Sequence, residues 1–157
     1  MPETAREFEH VRLDADTLLI RSPRSNARFE QLGPDVFAFT ISGTRPPDDV
    51  AAFAPVYEAY RKVLAADATR QLTLCIDAGN LTSASMGMAD DFTTNLRPML
   101  PRLRGFILIR SRMLEMVANV ALAAVMRSER FKFFSSVEEF ERACGTVAPG
   151  FRRRIIE

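Results

Sequence analysis

From residue 28 onward, apolar positions recur either every second residue or at steps of three and four, with Gly, Pro and Asp at most of the changes. Residues 28–32 read as a short strand and Gly33-Pro34-Asp35 as a turn. Residues 36–42 (VFAFTIS) form a second strand, so the domain begins with an antiparallel hairpin. Gly43 to Pro47 end that strand, and Asp48 stands where it would cap a helix. In that helix Val50, Phe53, Tyr57, Tyr60 and Leu64 make one buried stripe, the two tyrosines keeping their hydroxyls near water. Pro55 inside it implies a kink or a late start.

The strand 71–77 (QLTLCID) alternates Leu72, Leu74 and Ile76 against Thr73 and Cys75, and small polar residues from Ala78 to Ser85 read as a loop. A helix follows from about Ser85 through Phe92 and Leu96, bent or broken by Pro98 and Pro101. Residues 105–110 (GFILIR) are nearly all apolar, as in the middle of a parallel sheet. Ser111 caps a third helix with Leu114, Val117, Ala118, Ala121, Leu122 and Val125 on its apolar face. Residues 131–134 are a last strand, and Ser136 with Glu139 is a capping box for a final helix carrying Val137, Phe140 and Ala143, which Gly145 ends.

The order is β-β-α-β-α-β-α-β-α: an α/β fold with a mainly parallel central sheet and an antiparallel hairpin start. Residues 28–147 form that domain, and 148–157 a basic tail with arginines at 152–154. Residues 1–27 are a charged N-terminal extension broken by Pro23; 8–13 and 17–22 read as short strands around a turn, pairing with the sheet edge. A partly ordered tail is the alternative for that extension.

Composition narrows the chemistry. The chain has 157 residues, 47% hydrophobic and 26% charged, which fits one domain with one core. A net charge of +1 excludes a strongly basic nucleic-acid footprint. No apolar run is long enough to span a bilayer and the first residues do not resemble a secretory signal, so the cytoplasm is the expected compartment. The single histidine, His10, excludes a histidine triad or multi-histidine metal site within one chain, and Cys75 and Cys144 have no ligand spacing with it. No metal and no cofactor are expected. The two cysteines lie far apart in sequence; Cys75 reads as a small buried hydrophobe.

Ser83 and Ser85 fall beyond the carboxyl end of a central strand, near a helix N-terminus, where anions and phosphate groups are favoured. The plainer role is an N-cap and a loop hydroxyl. Asp90 and Asp91 complement the helix dipole, and Arg97, Arg102, Arg104, Arg110 and Arg112 offer an anion surface or a solvated face.

Three segments together carry a family resemblance: VFAFTISG, LTLCIDAGNLTSASMGM and FKFFSSVEEFERA. In element order and in these segments, residues 28–145 resemble the STAS domain of sulfate transporters and anti-sigma factor antagonists, and its SpoIIAA-like relatives. The resemblance implies a bacterial, non-enzymatic regulatory module that binds a kinase-like anti-sigma factor or a signalling scaffold through the loop 78–87 and the following helix. It gives Asp77, with Asn80, the part of organising that loop, and makes Ser83, Ser85, Met86, Met88 and Phe92 the partner-binding surface; plain core filling is the alternative for Met86, Met88 and Phe92. The family's switch motif is Asp-Ser-Ser-Gly with the second serine phosphorylated; here Ala84 and Met86 stand at its Asp and acceptor positions. Ser85 becomes the acceptor if the register slips by one.

The SpoIIAA-like relatives and their lipid-transfer cousins suggest an alternative, a carrier or sensor of a small apolar or lipid-like ligand. Twelve Phe and seven Met supply lining for it, or equally an ordinary core. Apolar edge strands and the extension 1–27 are candidate surfaces for a homo-oligomer. An enzyme ranks last, because no nucleophile, base and oxyanion donors assemble by spacing.

Overall fold

The runs of β-forming residues pair into one sheet in the computed structural model, which describes residues 8–121, 123 and 129–154. Its strands are β1 (Glu9–Asp14), β2 (Thr17–Arg21), β3 (Ser25–Gly33), β4 (Val36–Gly43), β5 (Leu72–Leu81), β6 (Leu103–Ile109) and β7 (Phe131–Phe134), side by side in chain order. β1 to β4 are antiparallel neighbours; β4 to β7 are parallel. The helices among the described residues are α1 (Ala54–Ala66), α2 (Met86–Leu96), α3 (Arg112–Ala121) and α4 (Val137–Gly145). This is the α/β fold the element order predicts. The segments read at 8–13 and 17–22 are strands, and they lengthen the sheet beyond the hairpin.

Each parallel crossover steps to the next strand in the same direction, so right-handed connections put α1, α2 and α3 on one face. There Phe37, Phe39 and Ile41 of β4 and Leu72, Leu74 and Ile76 of β5 pack under Val56, Tyr60 and Leu64. The pleat sends the alternate residues to the second face, where Val36, Ala38, Cys75 and Leu108 meet Phe140 and Cys144 of α4. Residues 146–154 then run over that face as a strap. The Phe151 ring stands edge-on to Phe140 at 6.0 Å, and Val147 and Ala148 pack beside it.

Several local expectations change. β5 continues past Asp77 to Leu81, because β4 also continues and pairs Ser42 with Asn80 and Gly43 with Leu81. The polar composition of 78–81 concealed a strand, and the loop shrinks to residues 82–85. Helix α1 starts late, with Pro55 in its first turn where no amide is needed. Val50 therefore sits in a separate 3-10 turn and is exposed. Asp49 caps that turn in place of Asp48. Tyr57 and Tyr60 are buried against the sheet rather than reaching water, and burial pushes both phenols up.

Gly43 ends β4 with φ of 120°, and a Cβ there would lie 2.2 Å from the Arg24 carbonyl oxygen. That close approach lets Thr44 donate its amide to the same oxygen at 2.8 Å. The edge strand β1 is mostly exposed and carries Glu9, His10, Arg12 and Asp14, so this edge is charged, not apolar. His10 Nε2 lies 2.8 Å from the Ala52 carbonyl and ties that edge to the turn before α1. No helix among the described residues is long and apolar enough to cross a membrane. Leu122 and Val125, expected on the face of the third helix, lie outside the described residues.

Candidate functional site

The strands β4, β5 and β6 end at the same rim, and residues 82–85 leave that rim to start α2. Thr82 is fixed at both ends. Its amide donates to the Gly43 carbonyl at 3.0 Å, and its carbonyl accepts the Ser111 hydroxyl at 2.7 Å. Ser111 also accepts the Leu114 amide at 3.3 Å, so one residue pins the loop and opens α3.

Ser85 is the N-cap of α2: its Oγ accepts the Met88 amide at 3.0 Å. The same hydroxyl donates to Asp48 Oδ1 at 2.5 Å, and Arg45 donates to Asp48 Oδ2 at 2.9 Å. Asp48, expected as a helix cap, instead bridges the β4–α1 loop to the start of α2. The Ser85 hydroxyl, and after it Arg45, holds the Asp48 carboxyl below its ordinary value. Ser83 is half-buried in the loop. Beside Asp48 an open cleft of about 400 Å³ is lined by Arg24, Arg45, Pro46 and Pro47.

Along α2, Met86 is exposed while Met88 and Phe92 are half-buried against the first-face core. Met88 and Phe92 close a cavity of about 70 Å³ whose other walls include Phe39, Ile76, Ala84, Ile107, Leu114 and Ala118. A further gap of about 20 Å³ toward Tyr57 and Tyr60 shares Phe39, Ile76, Met88 and Phe92 with it. Met88 and Phe92 thus partition an apolar space under the helix. Asp91 lies close by, and desolvation raises its carboxyl despite the Asn95 amide at 3.0 Å.

The residues expected to act together divide between the two faces. Ser83, Ser85, Met86, Met88 and Phe92 are neighbours at one end of α2. Asp77 points to the second face, where it accepts the Gly79 amide at 2.9 Å and takes Arg153 Nε at 2.7 Å and Nη2 at 3.1 Å. Asn80 is exposed in β5, paired in register with Ser42. Two of the arginines around the start of β6 are structural: Arg102 donates to the carbonyls of Leu64, Asp67 and Arg70 where α1 ends, and Arg104, within β6, donates to Thr73 Oγ1 at 2.9 Å.

Two features of the site do not follow from the local sequence pattern. Arg153 and Arg154 of the basic tail pair with Asp77 and with the buried Glu30, which Arg28 also contacts. On α3, Met113, Met116 and Val120 are 65%, 69% and 70% exposed, at steps of three and four on one side of the helix. Leu114 and Ala118 fill the buried side. Only composition signals the second: seven of the ten α3 residues are apolar, more than one buried stripe needs.

Among the described residues, no group of three or more His, Cys, Asp or Glu side chains is placed to hold a metal ion. No protein-family model matches the chain, and no curated protein matches it at a significant level.

Proposed function

We propose that the chain is a non-enzymatic, cytoplasmic regulatory module, akin to the anti-sigma factor antagonists it resembles, that captures a protein partner on the surface made by residues 82–85, α2 and the outer side of α3. The exposed stripe of Met113, Met116 and Val120 carries this reading. A monomeric domain rarely exposes a contiguous apolar strip, and methionine suits a surface that must adapt to its partner. Met86 at the start of α2 is 43% exposed and adds to the same class of surface. A partner with a complementary apolar helix or groove fits it, and a kinase-like anti-sigma factor or scaffold protein is the class the resemblance suggests.

Ser85 supplies the control point. A phosphate on Ser85 would lose the hydrogen bond to Asp48 and set two like charges together, while remaining at the α2 N-terminus. The start of α2 would be re-aimed rather than merely decorated.

The test is affinity capture from the native host followed by mass spectrometry, comparing wild type with Met113→Glu/Met116→Glu. Both residues are exposed, so the double variant keeps the fold while losing the partner. Retention of the same partner at wild-type yield rejects the surface. Met88→Glu is a poorer probe, because it would drive a charge into the apolar space under α2.

The cavity under α2 favours a second reading, an apolar-ligand sensor. As it stands the cavity takes only a few carbon atoms; a lipid chain would need Met88 and Phe92 to swing aside. An apolar adduct in native mass spectra that leaves on denaturation supports this reading, and no thermal shift across a lipid panel rejects it.

A further inference from the structure

The chain's two cysteines, remote in sequence, meet in the core of the second face. Cys75 projects from the middle of β5 and Cys144 from the last turn of α4, and neither is exposed beyond 1%. The two residues belong to one small buried cluster, and the neighbouring Cys75 together with burial pushes the Cys144 thiol well above its ordinary range. Around them lie Ala38, Leu108 and Phe140, with Val147, Ala148 and Phe151 of the strap packed on the same cluster. Asp77, two residues along β5 on the same face, takes the Arg153 clamp that holds the strap down.

We propose that Cys75 and Cys144 form a reversible dithiol–disulfide couple, guarded by the strap, that staples α4 to the central strand when a peroxide reaches the second face. In the closed state both sulfurs are shielded, and the raised Cys144 thiol stays protonated and a poor nucleophile. Opening of the strap admits water and oxidant. One sulfur, as thiolate, attacks a peroxide oxygen and becomes a sulfenic acid, releasing the first water from hydrogen peroxide. The neighbouring sulfur then displaces that oxygen as a second water, and the S–S bond forms. Two thiols and one hydrogen peroxide give one disulfide and two waters. A thiol reductant reverses the step. The partner of each cysteine is already the nearest thiol, so the disulfide competes well against further oxidation of the sulfenic acid.

The experiment treats the reduced, folded full chain with hydrogen peroxide at neutral pH, quenches it, then denatures and alkylates with iodoacetamide before intact-mass and peptide analysis. The expected product is monomeric, lighter by two hydrogens, unalkylated, with a Cys75–Cys144 cross-linked peptide that dithiothreitol abolishes. Two alkylated thiols, a sulfinic acid or a disulfide between chains would overturn the couple. Arg153→Ala, which frees the strap, should form the cross-link several-fold faster, and Arg153→Lys serves if that variant folds poorly. Equal rates in wild type and a folded Arg153 variant would overturn the guarding role. Cys144→Ser must show no loss of two hydrogens within the chain.

Discussion

At Gly79 a methyl group would lie 2.7 Å from Arg153 Nη2 and 2.8 Å from a Leu108 methyl carbon, so the guanidinium occupies the space a side chain would take. Through that space Arg153 reaches an Asp77 side chain only 3% exposed. Removing Arg153 leaves the carboxylate buried with the Gly79 amide as its remaining donor among these two, and Arg153→Ala should cost about 3 kcal/mol. Asp77→Asn combined with Arg153→Ala should cost less than Arg153→Ala alone, because no bare charge is then left behind. Urea unfolding of the three proteins measures both. Gly79→Ala should displace the clamp and cost about 1–3 kcal/mol in the same assay. Ser85 gives a pH-dependent case. Its bond depresses the Asp48 carboxyl below 3.8, so that stabilisation is complete above pH 3.8 and is lost as pH falls through the lower folded value. Ser85→Ala should therefore be less stable than wild type at neutral pH, with the gap narrowing in that acid range. An unchanged gap would mean that the lost α2 cap is the whole effect. Asp77 could be read from sequence as a residue that holds its surroundings. Its partner could not, because nothing in a local pattern links a strand to an arginine 76 residues further on.

Among elements, the strands and helices with a clean period were legible, and the errors fell where two signals competed. β5 was cut short at Asp77 because Gly, Asn, Thr and Ser after it have turn chemistry, whereas the pairing with β4 carries the strand four residues further. Helix α1 was started too early because Val50 fits the stripe by spacing, yet Pro55 fixes the first turn. Helix α3 shows the opposite case: its periodicity marks the buried stripe of Leu114 and Ala118, and its surplus of apolar residues lies outside that stripe. That surplus yields a stability prediction separate from binding. Met113 and Met116 are exposed, so Met113→Glu/Met116→Glu should change the unfolding free energy by no more than about 0.5 kcal/mol per site. A larger loss in urea unfolding would show that α3's outer side is already covered in the folded chain.

For the whole molecule, the alternation of strands and helices was enough to predict the α/β class, and the two N-terminal strands extend it without changing it. What sequence order did not convey was the division of labour between faces: α1, α2 and α3 on one, α4 and a strap on the other. A face assignment follows from crossover handedness for α1 to α3, but among the described residues no strand follows α4 to constrain it. A chain ending at Thr146 lacks the strap, and should show a lower thermal midpoint and bind a hydrophobic dye such as ANS at its second face. An unchanged midpoint would make the strap an ornament. Because each strand joins beside the one before it, the sheet can grow in the order in which residues leave the ribosome. Asp77 is the exception, since its clamp is made 76 residues later. During synthesis the second face therefore stays uncovered until almost the last residue described has emerged. A prematurely terminated product would carry a nearly finished sheet with one apolar side open, a form that proteases and chaperones can tell from the finished protein.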